Sequence, residues 1–191
     1  MAGAAFVAWL GAALVVLADG RRGLALGLAL LTVGLAALTW PAGMPVGAVA
    51  IAVGGLTAAG QCWRSGPPAW GIMPAGSTPR LILCIASGLL ALWLAASVTT
   101  GAGSLRFAVL LVLGLMGARI LISRDVPVVL AGVASMALAL AAAPGLAAES
   151  TGPVPAIVGG LIAAGVMFVP AVRGSSSIPP GSSGPADKDG A

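Results

Sequence analysis

The chain contains no histidine, and of its 191 residues only nine are lysine or arginine and five are aspartate or glutamate. Each shortage excludes a class of chemistry. Without histidine there is no His-ligated haem, no His-dependent zinc site and no histidine-based triad or proton relay. The two cysteines, Cys62 and Cys84, are too few for a disulfide framework and lack metal-ligand spacing. Phosphate-binding glycine patterns are missing too, since neither GxxxxGK[ST] nor GxGxxG occurs.

The shortage of charge is the most informative. Charged residues make up 7% of the chain, against roughly 25% in soluble domains. Hydrophobic residues make up 59%, and the mean hydropathy is +1.10. A domain of this size leaves roughly 30% of its unfolded surface exposed, so lipid must solvate much of this chain. A net charge of +4 and an isoelectric point near 10.6 raise the question of nucleic acid. The arginines answer it: they stand singly or in a pair at the ends of apolar runs, with no basic stripe or nucleic-acid motif. No nucleic-acid partner is expected.

What is present is a series of apolar runs. A spanning helix needs about 20 apolar residues, and roughly 17 is the lower limit. Seven runs meet or approach that length, at 2–18, 23–40, 45–60, 81–99, 105–123, 126–143 and 154–172. The breaks have physical causes. Asp19-Gly20-Arg21-Arg22 closes the first run with charge, and Pro41, Gly43 and Pro45 punctuate the second gap. Residues 61–80 contain four prolines, two arginines and two tryptophans, too polar and broken to span. Residues 100–104 read as a turn, and Arg124-Asp125-Val126-Pro127 reads as a tight hairpin with proline near a helix start. The runs lack the period-2 alternation of a membrane barrel. The expected fold is an all-α transmembrane bundle over residues 1–173, with seven spans, or six if one run is re-entrant or interfacial.

Charge predicts orientation. With seven spans and the N-terminus outside, Arg21, Arg22, Arg64, Arg80, Arg119, Arg124, Arg173 and Lys188 fall on the cytoplasmic side. Of the nine basic residues only Arg106 lies opposite, a strong positive-inside bias. The first run has no positive segment ahead of it, so it is expected to be a retained span rather than a cleaved signal. Residues 174–191, rich in Ser, Gly and Pro, read as a disordered cytoplasmic tail. Alanine, glycine and leucine richness, with arginine favoured over lysine, suggests a bacterial cytoplasmic membrane.

In lipid, small residues allow helices to approach closely. Gly23 and Gly27 form a GxxxG pair with Gly34 a heptad beyond Gly27. Gly114 with Ala118, and Gly160 with Ala164, repeat the spacing. The adjacent pairs Gly54-Gly55 and Gly159-Gly160 fit either close packing or local unwinding, the latter a device of transporters.

Candidate functional residues are few. No Asp, Glu or Lys falls within a run, so Arg119, one turn from the end of the fifth, is the candidate intramembrane charge. Its stem is long enough to carry the guanidinium to the interface, with Asp19 or Asp125 as partner. Ser87, Ser97, Ser135, Thr32 and Thr57 can bond their own helix carbonyls, which leaves no reason to treat any as a nucleophile. The aromatic, proline-stiffened loop after the third run makes Trp63, Arg64 and Trp70 the candidate partner-docking residues. The seventh run lacks the lysine that a microbial rhodopsin needs for retinal, and the chain has no Pro-Gln dipeptide of the PQ-loop carriers.

The expected function is therefore non-catalytic and cofactor-free. The chain reads as an accessory or scaffold subunit of an inner-membrane complex, contacting lipid and either other membrane subunits or copies of itself. A small permease or channel for an uncharged or apolar solute is the alternative.

Overall fold

A computed structural model describes residues 1–64, 78–97, 103–146 and 152–168. Among these residues there are no strands. The helices are α1 (Ala2–Leu17), α2 (Arg21–Thr39), α3 (Pro45–Arg64), α4 (Thr78–Ser97), α5 (Gly103–Ile122), α6 (Val126–Ala142) and α7 (Val154–Val166). A single 3₁₀ turn, Ala143–Leu146, extends α6.

Where each helix stops follows from the local residues. Ala18 and Gly20 are both extended (φ −86°, ψ 130° and φ −88°, ψ 142°), so the chain reverses across Asp19 in a very short link. Between α2 and α3, Gly43 takes φ +82°, a left-handed conformation that glycine adopts without penalty. Prolines stand in the first turn of α6 and of α7, where a missing N–H costs nothing.

The bundle is two rows of three helices. In one row α2 lies between α1 and α3; in the other α6 lies between α5 and α7. The rows face each other helix by helix, α1 on α5, α2 on α6 and α3 on α7, and α4 is added at the α1–α5 edge. Facing partners run parallel: a Cβ at Gly47 would lie 3.1 Å from the Cβ of Ala156, and Gly54, further along α3, meets Gly160, further along α7.

Close approach of backbones holds the first row. A Cβ at Gly34 would lie 2.5 Å from the backbone nitrogen of Ala8, and one at Gly27 would lie 2.8 Å from that of Val15. Gly11 presses in turn on the backbone of Leu31. Leu24, Leu28, Leu31 and Leu35 fill the space beside this seam, all fully buried. In lipid such contacts gain dispersion energy without needing water to be expelled.

The small-residue pairs prove unequal in the fold. Gly27 and Gly34 do form a packing face, and Gly160 packs on Ala50 and Gly54. The Gly114–Ala118 pair is not an internal seam, because nothing lies within 4 Å of a Cβ at Gly114. Helices α3 and α7 continue unbroken through Gly54-Gly55 and Gly159-Gly160, so these pairs serve packing rather than unwinding.

Helix ends move as well. Helix α3 runs on to Arg64 and α4 begins at Thr78, so Trp63, Arg64 and Arg80 are helical rather than part of a loop. The reason is that a hydropathy boundary marks where side chains turn polar, whereas a helix continues as long as its backbone bonds are satisfied. Four stretches are long and apolar enough to cross a membrane: Arg21–Thr39, Pro45–Arg64, Gly103–Ile122 and Val126–Leu146. The apolar helices Ala2–Leu17, Thr78–Trp93 and Val154–Val166 are shorter. At 13 residues, α7 is about 20 Å long against a hydrocarbon core of about 30 Å.

Candidate functional site

The up-and-down course of the helices sorts the charges. Asp19, Arg21, Arg22, Arg64, Arg80, Arg119, Arg124 and Asp125 gather where α1, α3 and α5 end and α2, α4 and α6 begin. Arg106 is the charged side chain at the other end, among the described residues.

At the crowded end a small ionic cluster forms on Asp19. The short α1–α2 link places its carboxylate between α4 and α5. Arg80 in the first turn of α4 donates from Nη1 to both carboxylate oxygens, at 2.9 Å each. Arg119 in the last turn of α5 donates from Nη2 to Oδ1 of the same carboxylate. The three groups differ in exposure. The Arg119 side chain is only 5% exposed, while Asp19 and Arg80 are 31% and 35% exposed. Burial pushes the Asp19 carboxyl upward, but hydrogen bonds and charge from Arg80 and Arg119 outweigh it and hold the group below its ordinary 3.8. Asp19 is thus a carboxylate at neutral pH. The Nε of Arg119 is buried with no hydrogen-bond partner.

Asp19, one of the two partners expected for Arg119, is the one it finds. Arg80 closes the polar stretch 61–80 expected to be a loop, so hydropathy alone does not bring it into the cluster. Its signal was an arginine directly after Thr-Pro and ahead of an apolar run, which is where a helix's first turn belongs.

Two of the three expected docking residues lie among the described residues. Trp63 is 49% exposed, and the guanidinium of Arg22 lies 5.4 Å from its ring centroid. That cation–π contact ties the start of α2 to the end of α3. Cys62, one residue earlier, donates its thiol to the Arg21 carbonyl at 3.5 Å. Arg64 is exposed at the end of α3, and Trp70 lies outside the described residues, as do residues 174–191.

The helix hydroxyls bond as expected. Thr32 donates to the Leu28 carbonyl at 2.7 Å, Ser135 to Ala131 at 2.8 Å, Thr57 to Gly54 at 2.8 Å and Ser87 to Leu83 at 2.7 Å. Thr39 does the same with Leu35 and Ala36. The side chain of Ser97 lies outside the described residues. Both cysteines are buried and free. Among the described residues no group of His, Cys, Asp or Glu could hold a metal ion.

An apolar groove of about 630 Å³ opens between α1, α4 and α5 toward the opposite end, lined by Phe6, Trp9, Ile85, Leu89 and Phe107 among others. Trp9 packs against Gly88, where an added Cβ would lie 2.9 Å from its Nε1.

Fold and site together define a helical membrane protein with a charged end and an apolar body. No protein-family model, curated protein or solved structure matches this chain.

Proposed function

We propose that this protein is a non-catalytic, multi-pass scaffold or accessory subunit of a larger complex in a bacterial cytoplasmic membrane. In this reading all seven apolar helices are embedded in the membrane, with the N-terminus outside and the C-terminus inside.

The observation that carries the reading is the nature of the interior. Glycine seams bring helix backbones into contact at α1–α2 and at α3–α7. The buried hydroxyls of Thr32, Thr39 and Ser135 each bond their own helix. A path for a polar solute needs polar groups turned toward a lumen, and these are turned back on their own backbones. Exposed apolar side chains on α4 and α7, such as Ile82, Leu89, Trp93 and Leu161, are suited to lipid or to neighbouring membrane helices.

A second reading, a small permease for an apolar solute, is favoured by the α1–α4–α5 groove. Native mass spectrometry of the protein extracted in mild detergent distinguishes the two. Stoichiometric co-purification with other membrane subunits is the expected result. A clean monomer or homo-oligomer that moves solute in proteoliposomes would overturn it in favour of the permease.

A further inference from the structure

The Asp19 cluster has an imbalance of charge. Two guanidiniums share one carboxylate, and both bond the same oxygen, Oδ1. The cluster therefore has a net charge of +1 by composition, with Arg119 almost wholly buried. Uncompensated charge in a low-dielectric setting is costly, and so is a buried donor without an acceptor. The cluster as a whole carries the surplus charge, and Arg119 carries the unmet donor, because its Nε–H has no partner. Asp19 cannot supply more negative charge, since it is already ionised.

We infer that the Arg80–Asp19–Arg119 cluster is a binding site for the phosphate of an anionic membrane lipid headgroup. Phosphate suits the need: it brings negative charge and several acceptor oxygens, and arginine forks match its geometry. Arg80 gives access, being partly exposed beside the buried Arg119. The setting identifies the source of the phosphate as lipid. The cluster lies at the end of the bundle where the basic residues collect, which in the proposed embedding stands at the level of the headgroups. Directly along α4 from Arg80, Leu81, Ile82, Ile85 and Leu89 are exposed apolar side chains on which acyl chains can lie. The inference rests on the chain being embedded in a membrane, not on whether it is a scaffold.

The test is thermal unfolding of the full chain in neutral detergent, with phosphatidylglycerol, phosphatidylcholine or inorganic phosphate added. A tenfold excess of phosphatidylglycerol over its dissociation constant should raise the midpoint by about 3–6 °C, and phosphatidylcholine should not. Arg80→Gln should lose more than half of that increment. Arg119→Gln belongs in the series, but its burial threatens folding, so the partly exposed Arg80 decides. Asp19→Asn separates a lipid site from a purely structural ion pair: it removes the competing carboxylate, so the increment should persist or grow. An increment unchanged in Arg80→Gln, or lost in Asp19→Asn, would overturn the proposal. So would inorganic phosphate reproducing the whole increment, which would assign the site to a free ion. Recovery of each variant in carbonate-washed membranes reports insertion separately, so a failed lipid response does not bear on the membrane reading.

Discussion

At the scale of single residues, glycines that look alike in the sequence do different work. Gly34 and Gly114 both sit in apolar runs, each with a small residue near by. A Cβ at Gly34 would lie 2.5 Å from a backbone nitrogen of α1, which cannot yield without the helices parting. Around Gly114 there is open space. Gly34→Val should therefore destabilise the isolated protein by about 1–3 kcal/mol, the usual cost of overpacking, while Gly114→Val should change it by less than about 0.5 kcal/mol. Unfolding midpoints in detergent measure both, and equal effects would refute the α1–α2 seam. The GxxxG spacing exposed Gly27 and Gly34 because one face of one helix is enough to show them. It could not show Gly11, the counterpart on α1, because no other glycine stands three, four or seven residues from it. The same holds for Asp19: it was legible as a possible partner for Arg119, whereas its sharing with Arg80 depends on where α4 docks.

At the scale of helices, those among the described residues were legible in their order because uninterrupted apolar runs separated by Pro, Gly and charge allow little else. Their ends were less so. The polar residues that finish α3 and open α4 remain helical, and hydropathy does not register backbone hydrogen bonds. Pairing between rows was not legible at all, since no sequence signal links α3 to α7. It can be tested directly. With Cys62 and Cys84 replaced by serine, Gly47→Cys with Ala156→Cys should form a disulfide under mild oxidation, because the two Cβ positions are 3.1 Å apart and need only a small shift. Gly47→Cys with Val166→Cys should not, as Val166 is at the far end of α7. Mobility on non-reducing gels reads both, and a cross-link in the second pair alone would mean α3 and α7 run antiparallel.

At the scale of the whole molecule, the number of crossings decides which compartments the termini occupy. Seven crossings put them on opposite sides; four or six put them on the same side. A reporter fused after Arg173 should therefore read cytoplasmic, and one fused ahead of Met1 should read external. Two cytoplasmic readings would show that one or all three of the shorter helices stay out of the bilayer. The uneven placement of charge has a consequence in a living membrane. Among the described residues, six arginines and two aspartates stand at one end and Arg106 at the other, an excess of three positive charges. Turning the molecule over would carry that excess through the transmembrane voltage, at roughly 7 kcal/mol per 100 mV. In the orientation proposed above, an energised membrane would act as a ratchet on this protein, and cells whose voltage has collapsed during synthesis should accumulate a share of inverted chains.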